Sequence, residues 1–192
     1  YTLGYQICEV LNPSNCDTAT VTVAVTAPVI DAVADSGASV NGYVGGTSFT
    51  NVLVNDTLNG VAVVPAAVTT TFVSATNAGV TLSGTNVVVA AGTPAGNYSL
   101  TYQICELLNP ANCDQATVTV PVTAAAIAAV ADAGGSVNGF TGGTSFTNVL
   151  VNDTLNGAPV VPADVTTTFV SSTHAGVTLS GSGETASVRK EI

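Results

Sequence analysis

The sequence predicts an all-β protein built from tandem β-sandwich repeats of 97 residues. Residues 1–84 align on residues 98–181 without a gap, and 66 of those 84 positions are identical. Short segments rich in Val and Thr alternate apolar with polar residues, as in Thr117–Val120, which is typical of strands with one buried face. Clusters of Gly, Asn and Pro separate them, and no convincing amphipathic helix is found.

The strands of one period can be assigned in order along the chain. A period of 97 residues is the size of an immunoglobulin-like sandwich, which has about 100 residues. Enrichment in Val, Thr, Tyr and Phe predicts seven strands. They are Val29–Ala34, Ser48–Val54, Val68–Ser74, Val80–Ser83, Asn86–Ala90, Tyr98–Cys105 and Ala116–Val122.

The phase of the repeat predicts the domain organisation. With boundaries near Thr26 and Thr123, residues 27–123 form one complete sandwich. Residues 1–26 are then the C-terminal strands of an upstream repeat, and residues 124–181 the N-terminal strands of a downstream one. Residues 182–192 form an atypical tail, because they share no identity with residues 85–95 and contain both basic residues, Arg189 and Lys190.

Two interpretations of the partial pieces stay open. The chain is an excerpt from a long tandem array, or neighbouring copies complete each other head to tail. In the second case residues 1–26 of one copy fill the open sandwich of the next and build a fibre. A half-sandwich has unpaired strand edges and an exposed core, which favours such completion.

Composition argues against several partners and against catalysis. Twelve acidic residues face two basic ones, for a formal charge of −10, so nucleic acid and anionic membrane surfaces are poor partners. No apolar stretch reaches 18 residues, so membrane insertion is not expected. The chain has a single His and none of the common catalytic motifs. We therefore expect no enzyme and no required cofactor.

The cysteines predict two disulfides, Cys8–Cys16 and Cys105–Cys113. Each pair brackets seven residues with Asn-Pro in the middle, and strand sequence flanks both sides. Both cysteines should therefore sit across one hairpin, within disulfide range. Disulfides of this kind indicate an oxidising, extracellular location.

The acidic residues leave a calcium site as an open question. With few bases present, they are either solvated surface carboxylates or ligands of Ca2+, which prefers oxygen donors from loops. Asp35, Asp56, Asp132 and Asp153 are the best candidates for the metal. The position of Asp31 is occupied by Ala128 in the second copy.

Two aromatic residues offer an alternative function. Tyr43 and Phe140 share one repeat position beside a Gly-Gly turn. They either pack in the core or at an edge, or they form a stacking platform for a surface glycan or protein ligand.

Several motifs together resemble bacterial cadherin-like and immunoglobulin-like tandem repeats. They are Ala34-Asp35 followed by Asn51–Thr57, their copies Ala131-Asp132 and Val149–Asp153, and the closing Thr117–Val120. The hairpin that begins Tyr5–Glu9 is similar to repeats of giant surface proteins of Bacteroidetes, and the resemblance covers residues 1–181. It implies a non-catalytic stalk or fibre on the bacterial surface, and it favours calcium.

The same resemblance implies O-glycosylation. That phylum modifies Thr or Ser in Asp-Thr/Ser-apolar triplets, which occur here at Thr18, Thr57 and Thr154. Sugars there would shield a surface that has few charges to keep it soluble.

Overall fold

The computed structural model describes residues 1–180 and 185–189, and these are all-β. Within those two ranges no α-helix occurs, and the helical turns are the 3-10 segments Pro65–Ala67 and Pro162–Asp164. The predicted all-β class is confirmed. A helix long and apolar enough to cross a membrane is not found in the described part of the chain.

The chain divides into two compact units. The first comprises Tyr1–Val40, Gly46–Ala90 and Asn97–Pro121, and the second Asn41–Gly45, Ala91–Gly96 and Val122–Ile192. The repeat boundaries near residues 26 and 123 stay a prediction. For clarity, residues 27–123 are called the intact repeat and residues 124–189 the open repeat.

The chain begins with an antiparallel hairpin, called the closing hairpin below. Its strands are β1 (Thr2–Cys8) and β2 (Cys16–Thr22), which form a sheet of their own. The register places Tyr5 opposite Ala19 and Cys8 opposite Cys16. Every residue of both strands is solvent-exposed.

The intact repeat contains short strands and a few long ones. They are β3 (Ile30–Asp31), β4 (Asp35–Ser36), β5 (Val40–Asn41), β6 (Gly46–Phe49), β7 (Thr57–Leu58), β8 (Val61–Ala62), β9 (Val68–Ala75), β10 (Val80–Ser83), β11 (Asn86–Val89), β12 (Gly96–Glu106) and β13 (Cys113–Thr123). Three sheets result, with strand orders β4-β13-β12-β9, β10-β11-β6 and β3-β7-β8.

The core of the intact repeat is centred on the strands β12 and β13. Their side chains alternate between buried and more exposed, as expected of strands with one face in the core. Each fully buried large apolar side chain stabilises the fold by roughly 1.5–3 kcal/mol. The buried set on these two strands is Leu100, Tyr102, Ile104, Ala116, Val118, Val120 and Val122.

Two predicted strands are shorter than the sequence suggests. The strand over Ser48–Val54 ends at Phe49, because Asn51 has a φ of 61° and the following Val52 and Leu53 are both buried. Adjacent buried residues cannot share one face of a strand. The strand over Val29–Ala34 keeps only β3, since the next two amides bond to carboxylates instead of a neighbouring strand.

The open repeat forms two of the three sheets of the intact repeat. Its strands are β14 (Ile127–Ala128), β15 (Gly143–Phe146), β16 (Thr154–Leu155), β17 (Ala158–Pro159), β18 (Val177–Ser180) and β19 (Thr185–Val188). The orders β14-β16-β17 and β15-β19-β18 reproduce β3-β7-β8 and β6-β11-β10. Although β19 lies in the stretch that the sequence sets apart as a tail, it takes the place of β11.

One segment of the open repeat has strand sequence but no strand structure. Residues 165–172 read VTTTFVSS, and the equivalent strand β9 reads VTTTFVSA. β9 pairs with β12 along its length, whereas no described strand takes the place of β12 in the open repeat. The missing partner, and not the sequence, accounts for the difference, because an isolated strand leaves its amides and carbonyls unpaired.

Candidate functional site

The closing hairpin exposes the apolar face that the intact repeat buries. On β12 the side chains of Leu100, Tyr102 and Ile104 are fully buried. Their copies on β1 are largely exposed, at 59% for Leu3, 47% for Tyr5 and 66% for Ile7. Equivalent side chains are therefore buried in the core of the intact repeat and exposed to solvent in the closing hairpin. Exposed, contiguous apolar faces of this kind mark interaction sites.

In the intact repeat, Tyr102 ends in a buried polar cluster. Its hydroxyl lies 3.0 Å from Asp56 Oδ1, 3.1 Å from Asp56 Oδ2, and 3.0 Å and 3.1 Å from the carbonyl oxygens of Val52 and Val33. Burial, followed by the nearby charge of Asp56, raises the pKa of Tyr102. The hydroxyl therefore stays protonated and can donate to the carboxylate.

Asp56 joins three separated parts of the intact repeat. It is fully buried, and its Oδ1 accepts a hydrogen bond of 2.7 Å from the amide of Val33. Burial raises the pKa of Asp56, while the Val33 amide and the Tyr102 hydroxyl oppose that rise. The carboxylate thus holds the segment after β3, the turn after β6 and the strand β12 together.

Asp35 lies beside this cluster, and its carboxyl group is not fully hydrogen-bonded. It is buried, and its Oδ2 has no hydrogen-bond partner. Burial, and next the charge of Asp56, raises the pKa of Asp35 from 3.8 to about 6, while a hydrogen bond with Asn55 opposes the rise. Asp35 is therefore a buried acid that holds its proton more tightly in the folded chain than in the unfolded one.

We expect the stability of the protein to fall as the pH rises from about 4 to 6. In that window the folded state keeps the proton of Asp35 that the unfolded state has already released, so unfolding releases a proton and is favoured at higher pH. Asp35→Asn should flatten this part of the profile, as measured by urea midpoints at pH 4.5, 5.5 and 7. Parallel profiles for parent and variant would contradict the assignment.

The open repeat contains a cavity beside the residue that corresponds to Asp56. Its volume is about 240 Å³, and its lining includes Ile127, Leu150, Asp153 and Val165. Asp153 is the copy of Asp56, and its Oδ1 accepts a hydrogen bond of 2.7 Å from the amide of Val130. The carboxylate is therefore already held in the way Asp56 is held, without a tyrosine hydroxyl.

Two further polar contacts tie the hairpin tip of the intact repeat to the residues on either side of β3. Asp114 Oδ2 accepts a hydrogen bond of 2.9 Å from the amide of Ala32, and Asn112 Nδ2 donates one of 2.9 Å to the carbonyl of Pro28. The copies of Asp114 and Asn112 in the closing hairpin are Asp17 and Asn15, which are both exposed.

Both predicted disulfides are present. Cys8 is bonded to Cys16 and Cys105 to Cys113, and within the described chain no cysteine is free. Each disulfide closes the tip of one hairpin, at the end of β1–β2 and of β12–β13. Stable disulfides of this type belong to oxidising, extracellular compartments.

The predicted calcium ligands differ in burial. Asp35 and Asp56 are buried next to Tyr102, Asp153 is buried in the open repeat, and Asp132 is exposed. Among the residues that the structure describes, no group of three His, Cys, Asp or Glu side chains could hold a metal ion. Calcium stays a prediction.

The predicted glycosylation residues differ in exposure. Thr18 is exposed on β2, whereas Thr57 and Thr154 are half-buried in β7 and β16. Glycosylation at these residues also stays a prediction.

The two aromatic residues of the alternative function are on the surface. Tyr43 is 43% exposed and Phe140 is 72% exposed. The Tyr43 hydroxyl donates a hydrogen bond of 3.0 Å to Asp164 Oδ2, and that bond raises the pKa of Tyr43.

Sequence reasoning did not identify Tyr102, Tyr5 and Asp153 as one functional set. Tyr5 and Tyr102 were recognisable only as members of a repeated motif, and Asp56 and Asp153 as calcium candidates. The repeat alone does not single them out, because 66 of 84 aligned positions are identical and Tyr1 is also matched, by Tyr98.

Comparison with known proteins finds likenesses to solved structures alone. No protein-family model and no curated protein sequence matches the chain. A crystal structure of the protocadherin gammaB4 extracellular domain aligns with a TM-score of 0.33 and 11% identity, over 91% of this chain and 32% of that one. This chain thus spans about a third of the length of that chain.

Proposed function

We propose that the protein is a non-catalytic structural repeat of an extracellular bacterial surface fibre or adhesin stalk, whose copies join head to tail by strand complementation. One observation carries the proposal. The closing hairpin exposes the same apolar side chains that fill the core of the intact repeat, while the open repeat lacks them. A donor and an acceptor for one sandwich are thus present in the same chain.

The work of such a module is mechanical. Stacked sandwiches set the reach of a stalk, and the disulfides at the hairpin tips resist unzipping from that end. The location outside the cell is supported by the disulfides. The bacterial origin is supported by the sequence motifs that resemble bacterial surface repeats.

The first test is the mass and shape of the purified protein. We expect light scattering to report masses that grow with concentration, and negative-stain microscopy to show filaments. A monodisperse monomer at all concentrations would reject assembly by complementation and leave a repeat of a longer stalk.

A binding module for a surface glycan or protein ligand is the second candidate. The exposure of Tyr43 and Phe140 favours it, because exposed aromatic rings can stack on sugars. Tyr43→Ala and Phe140→Ala should then abolish binding to a glycan array without lowering the melting temperature. Unchanged binding would remove both residues from this function.

A further inference from the structure

We propose that the joint between two copies is specified by one buried contact, in which Tyr5 of one chain enters the open repeat of a second copy and donates a hydrogen bond to Asp153. This inference rests on the proposed head-to-tail assembly and names its recognition residues. The intact repeat contains the same contact within one chain, between Tyr102 and Asp56. Each partner in the joint is the copy, 97 positions away, of a residue in that contact.

The hydrogen-bond acceptor of the joint, Asp153, is already held in place in the open repeat. Asp153 is buried, and its Oδ1 already accepts the amide of Val130, as Asp56 accepts that of Val33 in the intact repeat. The cavity beside it is lined by apolar side chains, including Ile127, Leu150 and Val160, and by the threonines of residues 166–168. A buried carboxylate beside such a cavity needs a hydrogen-bond donor carried by a largely apolar side chain. A tyrosine provides the hydroxyl donor and the apolar ring.

The closing hairpin carries further side chains near Tyr5 that match the open repeat. If the hairpin enters as β12–β13 do, Asp17 accepts the amide of Ala129 and Asn15 donates to the carbonyl of Ala125, as in the equivalent bonds of the intact repeat. The apolar side chains of Leu3 and Ile7 fill the positions of Leu100 and Ile104. These polar contacts fix the register of the hairpin.

Backbone pairing completes the joint. In the intact repeat Gln103 of β12 pairs with Thr71 of β9, so Gln6 of the hairpin pairs with Thr168 of the second copy. Residues 165–172 have the sequence of β9 but no strand of their own, and the hairpin supplies the missing edge. Strand addition of this kind provides main-chain hydrogen bonds along the whole segment.

A second copy is the occupant because each chain carries one Tyr5 and one Asp153, so that the same joint can repeat from copy to copy. Tyr5 is 47% exposed on the closing hairpin, and the cavity beside Asp153 is open to solvent.

Cross-linking tests the register. Two single variants, Gln6→Cys and Thr168→Cys, are mixed and oxidised, because directly opposed strand residues lie within disulfide range. We expect a disulfide-linked dimer that contains one chain of each variant. A mixture of Thr20→Cys with Thr168→Cys is the matched control, since Thr20 lies on β2, the strand that corresponds to β13 and not to β12. A link within the Gln6→Cys, Thr168→Cys double variant, with none in the mixture, would overturn the proposal in favour of closure on the same chain.

Substitution tests the hydrogen bond itself. Tyr5→Phe removes the hydroxyl from an exposed residue and should weaken the joint about tenfold, as expected for one buried hydrogen bond to a charged group. Combined with Asp153→Ala in the partner chain, it should cost little more than Asp153→Ala alone, because the two changes remove one contact. Additive losses, or a Tyr5→Phe joint as strong as that of the parent, would overturn the Tyr5–Asp153 contact.

The outcomes separate this inference from the proposed function. Filaments that persist unchanged with Tyr5→Phe would reject the contact but keep the head-to-tail assembly. A parent protein that never assembles would reject both. Tyr102→Phe provides the control within the intact repeat, where it should lower the stability of each copy without changing the register of the cross-link.

Discussion

The substitution Ile7→Asp should abolish assembly while leaving the single copy folded. Ile7 is 66% exposed in the closing hairpin, so a charge there costs little before the hairpin binds. Its equivalent Ile104 is fully buried in the intact repeat. Burying an unpaired carboxylate costs several kcal/mol, which corresponds to a joint at least about a thousandfold weaker. Light scattering as a function of concentration measures the effect.

The matched control is Gln6→Asp, which adds the same charge one residue away. Neighbouring strand residues point to opposite faces, and the equivalent Gln103 is only half-buried. This variant should assemble nearly as the parent does. Equal assembly by the two variants would show that the apolar face of the hairpin has no part in the joint.

The substitution Tyr102→Ala should destabilise the intact repeat by about 4–6 kcal/mol. Removing a buried aromatic side chain costs about 3–5 kcal/mol, and the loss of the hydroxyl leaves Asp56 without one of its donors, at about 1–3 kcal/mol. The partial overlap of these two costs keeps the total below their sum. Tyr102→Phe retains the ring and should cost only about 1–3 kcal/mol. Urea unfolding followed by circular dichroism measures both.

The chain offers its own control for this prediction. Tyr5→Ala is the same change at the equivalent position of the exposed hairpin, where we expect less than about 0.5 kcal/mol. Both variants are measured in the Ile7→Asp background, so that assembly does not contribute to stability. Similar losses at Tyr5 and Tyr102 would contradict the idea that only the intact repeat has a filled core.

The strands of the intact repeat were predictable where packing follows the sequence pattern. These elements were indicated to within a few residues by the alternation in β12 and β13, the Val- and Thr-rich sequence of β9, and the turn residues around β10 and β11. The segment Asn51–Val54 departs from the predicted strand, because its Val and Leu residues favour a strand while Asn51 adopts a left-handed conformation. Local propensity there is overridden by the burial of Val52 and Leu53.

The candidate site was predictable only in outline. The repeat phase indicated that residues 1–26 and 124–181 are complementary. The contact between Tyr102 and Asp56 could not be read from the sequence, because 46 positions separate the two residues and only the fold brings them together. Likewise β19 could not be predicted by the repeat, since its residues share no identity with the equivalent stretch of the first copy.

In the proposed fibre, residues 165–172 make each joint weaker than a complete repeat. In the intact repeat the equivalent segment is the strand β9, and in the open repeat it has no strand structure. Ordering its backbone costs roughly 1–2 kcal/mol per residue. This cost weakens each joint, whereas in the intact repeat the equivalent segment is already ordered when the chain folds. Under tension, a fibre built in this way should release at its joints before its domains unfold. Because the separated parts keep their disulfides, a broken joint can form again when the load falls.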